Sequence, residues 1–308
     1  MEISQQTHIL IADALLSLVT FFVGAFGVKM VTGGKPWTMR EIPYQIVTSG
    51  NKKQVMLDLQ YNQPLVDEDH VTFNDSGLIF VSVYVPLFVM LGMILSNRQH
   101  PRSRKVLEGL SVFYGLLFSV GTTELVVNVL KLYVGRLRPN FYGLCGFDLQ
   151  EIICTASLEH QYQARKSFPS GHSSLSFTGM TFLLLFMFGR YRLGSGWCSG
   201  GVFYSHLCLR FRWILCMLPW SLSLWVASSR LVDHWHHAGD VVAGSVIGIF
   251  GAALGYLMWF PYPLGNKESS IPTYMSTDIL TSSLAKNEQE PLFLQYPDNS
   301  SLNKVNLV

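Results

Sequence analysis

Charge is what this sequence has least of. Asp, Glu, Lys and Arg make up 14% of its 308 residues, against roughly a quarter in ordinary soluble domains, so a water-facing surface around a globular core is not what the chain is built to make. The two signs nearly cancel, with 22 Lys plus Arg against 20 Asp plus Glu and a formal charge of +2. Without an excess of positive charge to build a field, nucleic acid and strongly acidic partners are excluded. Cysteine is sparse: five residues and no CxxC pair, which speaks against a structural zinc site. Neither a solenoid period nor two related halves are visible, so a transporter built on inverted repeats lacks its signature.

What is present instead is apolar sequence gathered into long blocks. A helix rises about 1.5 Å per residue and needs roughly 20 apolar residues to cross a hydrocarbon core of about 30 Å. Six blocks approach that length: His8 to Val28, Gly77 to Ser96, Val106 to Leu130, His172 to Gly189, Trp213 to Ser228 and Val241 to Phe260. They predict an all-α integral membrane helical bundle with about six transmembrane helices. The fifth block contains Pro219 and several serines, which a bundle tolerates where neighbouring helices satisfy the freed backbone groups. The first follows a segment without Lys or Arg and shows no small-residue cleavage site, so it is expected to be a retained span. Beyond Phe260 the run Pro261-Tyr262-Pro263 opens a stretch rich in Ser, Thr, Asn and Gln. Residues 261–308 are therefore expected to be a flexible cytosolic tail on a membrane domain formed by residues 1–260.

Orientation follows from Lys and Arg in the short loops. The segment from Asn97 to Lys105 is strongly basic, as is the connector holding Arg190, Arg192, Arg210 and Arg212, and both are expected to face the cytosol with the two termini. The connectors Lys29 to Ser76, Lys131 to Gly171 and Ser229 to Asp240 then lie on the outer side. The middle one breaks the rule, because it holds Lys131, Arg136, Arg138, Arg165 and Lys166; cations on the wrong side suggest a task there. Cys145 and Cys154 share that connector, either as a disulfide closing a short loop or as two thiols. The sequon Asn74-Asp75-Ser76 is an outer glycosylation candidate, whereas Asn299-Ser300-Ser301 would face the cytosol. Glu124, with Asn128 one turn on, lies inside the third block as either a functional carboxylate or a hydrogen-bonded structural one.

Three polar fragments fall at the outer ends of predicted spans. Lys131 is followed at fixed distance by Arg138-Pro139; Pro169-Ser170-Gly171-His172-Ser173-Ser174 opens the fourth block; and Ser229 to Asp240 joins the fifth to the sixth. Together they supply cations, a helix N-terminus and two histidines, which is what handling a phosphate ester requires. Lys131 and Arg138 alone would read as interfacial anchors, and His172 alone as an ordinary helix-start residue. Asp233, His234, His236, His237 and Asp240 also form a candidate metal cluster, but one that leaves Lys131, Arg138 and Arg230 as repulsive neighbours of the ion.

The three fragments resemble the signatures KxxxxxxRP, PSGH and SRxxxxxHxxxD of the type 2 phosphatidic acid phosphatase (PAP2) superfamily, and every signature position is filled. The Gly-Arg-Leu-Arg-Pro run at 135–139 and the Ser-Gly-His-Ser-Ser run at 170–174 look most like its lipid phosphate phosphatase branch. The resemblance covers about residues 77–260, with its signature core at 131–240. It implies His236 as a nucleophile that forms a phosphohistidine, Asp240 as its orienting partner one helical turn away, and His172 as the acid that protonates the leaving alkoxide and then helps activate water. It likewise implies Lys131, Arg138, Ser170, the Gly171 amide and Arg230 as the groups that bind phosphate, with neither metal nor other cofactor. His234 and His237 are alternatives to His236 only if the helix register is unusual. The implied substrate is a lipid phosphate in a bilayer, phosphatidate first and lysophosphatidate, diacylglycerol pyrophosphate or sphingoid phosphates next, handled on a luminal or extracellular face. Isoprenoid diphosphate or glucose 6-phosphate hydrolysis and a non-enzymatic lipid-binding scaffold are the competing expectations.

Overall fold

Once an apolar block commits to helix, flanking polar residues that cap or continue it extend the helix past the block. In the computed structural model the six helices long and apolar enough to cross a membrane are Thr7–Thr32, Asp75–Ser96, Arg102–Val134, Gly171–Arg190, His206–Val232 and Ala238–Trp259. Each begins before the apolar block that announces it, and the chain is a multi-pass membrane protein. The structure describes residues 2–49, 52–67, 70–98, 100–191, 202–264 and 272–273. Arg192, Cys198, the Asn299 sequon and most of the stretch expected to be a tail lie outside the described residues. Pro219 sits within a continuous helix, Val202–Val232. The third span has 33 residues and is thus roughly 50 Å long, so its ends project beyond a hydrocarbon core and carry Lys131 with them.

The least apolar span is the most enclosed. Gly171–Arg190 has a mean hydropathy of only 1.2, yet 83% of it is buried, because its neighbours are other helices instead of lipid. Its Ser173, Ser174, Ser176 and Thr178 are fully buried and bond inside the bundle; the Thr178 hydroxyl donates to the Ser174 carbonyl at 2.8 Å and meets Thr123 Oγ1 at 3.0 Å. The sixth span lies against it through glycines. A Cβ on Gly244 would strike the Ser170 carbonyl, and one on Gly248 the Ser174 carbonyl, a close approach that only small residues allow. The first and fifth spans expose Leu15, Phe22, Ile214 and Leu224, the apolar surface that lipid covers.

Helix dominates, as expected, but the end of the bundle that carries Lys131 adds two small antiparallel hairpins. Strand β1 (Tyr44–Ser49) pairs with β2 (Lys52–Leu57), and β3 (Phe147–Asp148) with β4 (Ile153–Cys154). The Lys29–Ser76 connector, which shows no pattern in sequence, ties itself to the end of the third span. Trp37 N–H donates to the Leu132 carbonyl at 2.8 Å and Thr38 Oγ1 to the Tyr133 carbonyl at 2.6 Å. The Tyr142 hydroxyl donates to the Pro43 carbonyl and accepts from the Asp58 amide. Beneath lies a second core of Leu137, Phe141, Tyr142, Leu144 and Trp235, and Cys145 is disulfide-bonded to Cys154. At the opposite end, buried Glu108 holds Arg190 at 2.8 Å.

Candidate active site

The third span stops where Gly135 turns left-handed (φ 54°) and its N–H caps the Lys131 carbonyl at 3.3 Å. A Cβ there would run into the Thr38 carbonyl, so the stop depends on glycine. The loop beyond it zips onto the segment before the fourth span: Arg138 N–H donates to the Ala164 carbonyl at 2.9 Å, and Ser167 N–H to the Arg136 carbonyl at 3.0 Å. Arg138 is buried, with Nε donating to the Gln163 carbonyl at 2.8 Å and its guanidinium 4.5 Å above the Trp235 ring.

Ser170 caps the fourth span, its Oγ accepting from the Ser173 amide at 3.4 Å and the Ser173 hydroxyl at 3.1 Å. Its own hydroxyl proton remains to donate. The Lys131 ammonium stands 2.9 Å from the point a Gly171 Cβ would occupy. Glycine thus lets a cation and the positive end of a helix dipole meet at one place, an arrangement that is stable only beside an anion. Arg230 closes the fifth span. Its Nη2 pairs with Asp233 at 2.8 Å and its Nε donates to Ser229 Oγ at 3.1 Å, while Asp233 also accepts from the amide and hydroxyl of Thr72, each at 3.1 Å. Arg230 Nη1 has no partner among the described residues.

His234 then turns left-handed (φ 56°) and delivers His236 to the centre. Its Nδ1 lies 2.7 Å from the Ser167 carbonyl oxygen. A carbonyl only accepts, so Nδ1 carries the proton and Nε2 keeps its lone pair. Burial, then the Arg138 and Lys131 cations, hold this imidazole well below its ordinary pKa. A neutral ring with an unprotonated, unpartnered Nε2 among cations can attack phosphorus. His172 presents Nε2 to the Phe73 carbonyl at 3.1 Å, with Asp75 at 3.8 Å, and shares a recess with Arg230 and Trp235.

Asp240 departs from the geometry expected of it. It lies four positions after His236, but the helix starts at Ala238, between them, so no helical turn brings them together. Its Oδ2 is 3.9 Å from His236 Nδ1. The carboxylate accepts instead from Ser167 Oγ at 2.6 Å, Arg136 Nη1 at 2.8 Å and the His237 amide at 3.0 Å. It thereby fixes Ser167, whose carbonyl fixes His236. Lys131, Arg138, Ser170, Gly171, His172, Arg230 and His236 do gather at one end of the bundle. His237 points at Asp240 (3.2 Å), and among the described residues no three His, Cys, Asp or Glu side chains converge as metal ligands. Asn74 accepts from the Gly77 amide at 2.8 Å to cap the second span, beside the recess. Sequence reasoning missed the supporting roles of Ser167, Arg136, Asp233 and Thr72. Arg136 and Asp233 sit inside the fragments as unmarked positions; Thr72 is legible only in three dimensions.

Below the cluster, a cavity of about 670 Å³ runs between the first four spans. Phe21, Val83, Leu116 and Val120 line it, Lys131 and His172 stand at its head, and Glu124 lies in its wall, bonded by Asn128 Nδ2 at 3.4 Å.

A model of the PAP2 superfamily matches residues 113–262. Over 218 residues the chain is 37% identical to "Lipid phosphate phosphatase 1" of Arabidopsis thaliana, covering 68% of this chain and 60% of that one. Over 157 residues it is 38% identical to "Probable lipid phosphate phosphatase 4" of the same plant, 48% of each chain. It is also 26% identical over 246 residues to "Diacylglycerol pyrophosphate phosphatase 1" of Saccharomyces cerevisiae, 76% of this chain and 79% of that one. The matches thus span about half to three-fifths of the length of the two plant relatives. No solved structure matches. The family model contains all three polar fragments, and the fold gathers those fragments at one site, so residues 113–262 form a PAP2 superfamily region.

Proposed function

We propose that this protein is a membrane lipid phosphate phosphatase acting first on phosphatidate. One observation carries the reading: His236 Nδ1–H is bonded to the Ser167 carbonyl, which leaves Nε2 as a lone pair facing a site ringed by Lys131, Arg138 and Arg230. In the first step Nε2 bonds to phosphorus, the P–O bond to the lipid breaks, and His172 gives the alkoxide its proton. In the second, His172 takes a proton from water as the water oxygen attacks the phosphohistidine; phosphate leaves and neutral His236 returns. Lys131, Arg138, Arg230, the Ser170 hydroxyl and the Gly171 amide balance the charge that builds on the phosphoryl oxygens. Three cations do here what a metal does elsewhere, so no metal is required. The apolar cavity below Lys131 suits the acyl chains, and the relatives' names point to the same substrate class. The basic loops at the other end of the bundle favour a site on the luminal or extracellular face.

The test is phosphate release from phosphatidate in mixed micelles containing EDTA, comparing wild type with His236→Ala at matched expression. Metal-independent release that falls by about a thousandfold or more in the variant is expected. Release that needs a divalent ion, or that survives the substitution, would overturn the assignment.

A further inference from the structure

A phosphate site gains nothing from a carboxylate, yet one stands at its mouth. Asp75 opens the second span, in a first turn capped by Asn74, and lines both the recess of the site and the cavity beneath it. Its Oδ1 lies 3.8 Å from His172 Nε2, and the side chain is otherwise 94% exposed. Neither packing nor a hydrogen bond among the described residues accounts for it. A negative charge beside an anion pocket raises the cost of binding the anion, so its use lies in another step of the reaction.

His172 shows which step. Its Nε2 sits 3.1 Å from the Phe73 carbonyl oxygen; a carbonyl only accepts, so Nε2 carries the proton of the neutral ring. Nδ1, which has no partner among the described residues, is then the nitrogen that exchanges a proton with substrate. To act as an acid the ring must hold a second proton there and be an imidazolium. The neighbouring charges oppose this: Lys131 faces the ring from the third span, Arg138 from the loop beyond it and Arg230 from the fifth span, with His236 from the loop before the sixth. The carboxylates deeper in the site are engaged elsewhere, Asp233 with Arg230 and Thr72, Asp240 with Ser167 and Arg136, and Glu124 with Asn128. Among the described residues only Asp75 places a carboxylate against the His172 ring.

We propose that Asp75 is a positioning residue for the acid: it faces the Nε2 edge of His172 and keeps the ring protonated, so that Nδ1 delivers the proton. The inference rests on the phosphatase reading above. As His236 Nε2 bonds to phosphorus and the P–O bond to the lipid breaks, the Nδ1 proton of His172 passes to the departing oxygen. The ring left behind is neutral and keeps its Nε2 proton on the Phe73 carbonyl. In the second step Nδ1 takes a proton from the attacking water, which restores the imidazolium that Asp75 faces. Because the carboxylate is exposed, solvent screens its pull, and removing it costs part of the acid form instead of the whole rate.

The test compares wild type, Asp75→Asn and Asp75→Glu as full-length chains in detergent micelles. Two esters separate proton delivery from every other contribution: phosphatidate, whose alkoxide needs a proton to leave, and nitrophenyl phosphate, whose phenolate leaves without one. On phosphatidate the basic limb of kcat/KM should move down by about half a pH unit or more in Asp75→Asn, with a loss of about threefold or more above the limb. Nitrophenyl phosphate should change by less than about 1.5-fold, and Asp75→Glu should restore the phosphatidate profile. NMR of chain labelled at histidine reads the pair without turnover, the His172 signal being the one that His172→Gln lacks; it should titrate about half a unit lower in Asp75→Asn than in wild type. Equal losses on the two esters, an unmoved limb or an unmoved His172 titration would overturn the assignment and leave Asp75 as a helix-start residue. A titration that moves in a chain that hydrolyses neither ester would uphold the Asp75–His172 pair and overturn the phosphatase reading, and with it the acid's role.

Discussion

His236 donates its Nδ1 proton to a main-chain carbonyl, with the nearest carboxylate 3.9 Å away. A carbonyl orients the ring and fixes its tautomer, but it stabilises imidazolium less than a contacting carboxylate would. Together with the cations around it, this keeps His236 neutral. The sign of the pH dependence follows: a histidine held well below its ordinary pKa by burial, Arg138 and Lys131 stays unprotonated into mild acid. The acid limb of kcat/KM should therefore lie below about pH 6.5, the unperturbed histidine value. Arg138→Gln removes one cation, makes the ring easier to protonate, and should move the limb upward apart from any loss of rate. A pH–rate profile of both proteins decides it, and a limb that stays in place would mean another group titrates. The residues of this cluster were legible because the fragments carry them at fixed spacing. Their bonding was not, since Ser167 meets Asp240 and His236 across 73 and 69 positions of sequence. Spacing within one fragment suggested a direct Asp240–His236 pair; the helix start at Ala238 prevents it.

Elements were more legible than their contacts. Apolar length alone located all six spans, because about 30 Å of hydrocarbon imposes that length. Hairpin β1–β2 went unseen because two six-residue strands in a polar connector give period-2 alternation too little length to stand out. Which faces meet was also hidden, although glycine recurs along the sixth span. Gly248 lies against the Ser174 carbonyl, while Gly92 on the second span has open space around its missing Cβ. Gly248→Leu should push the sixth span off the fourth, carrying Asp240 away from Ser167; Gly92→Leu should be tolerated. Thermal unfolding in detergent and phosphate release are the readouts, with a clear fall in Tm and activity for the first and near wild-type values for the second. Equal behaviour of the two would show that the close approach does not hold the site together.

On the scale of the whole molecule, cations occur at both ends of the bundle, some held in the fold and some exposed. At the end that carries the site, Arg136 is paired with Asp240, Arg138 bonds the Gln163 carbonyl, and Arg165 donates to the carbonyls of Gln161 and Arg40. These three arginines are held in the fold, so their charge does not count as free loop charge. At the other end Arg190 is held by Glu108, but Arg98 and Arg102 are exposed, the state in which Lys and Arg retain a loop in the cytosol. The asymmetry predicts the site end outside and the Asn97–Lys105 loop inside. Single cysteines at Glu151, in the connector that carries β3 and β4, and at Ser103, in the basic loop, test this in sealed vesicles of known sidedness, on a background with Cys198, Cys208 and Cys216 replaced. An impermeant maleimide added from outside should label the position-151 variant in intact vesicles and the position-103 variant only after permeabilisation. The reverse order would place the site in the cytosol, and the lipid phosphate it meets would then come from the inner leaflet.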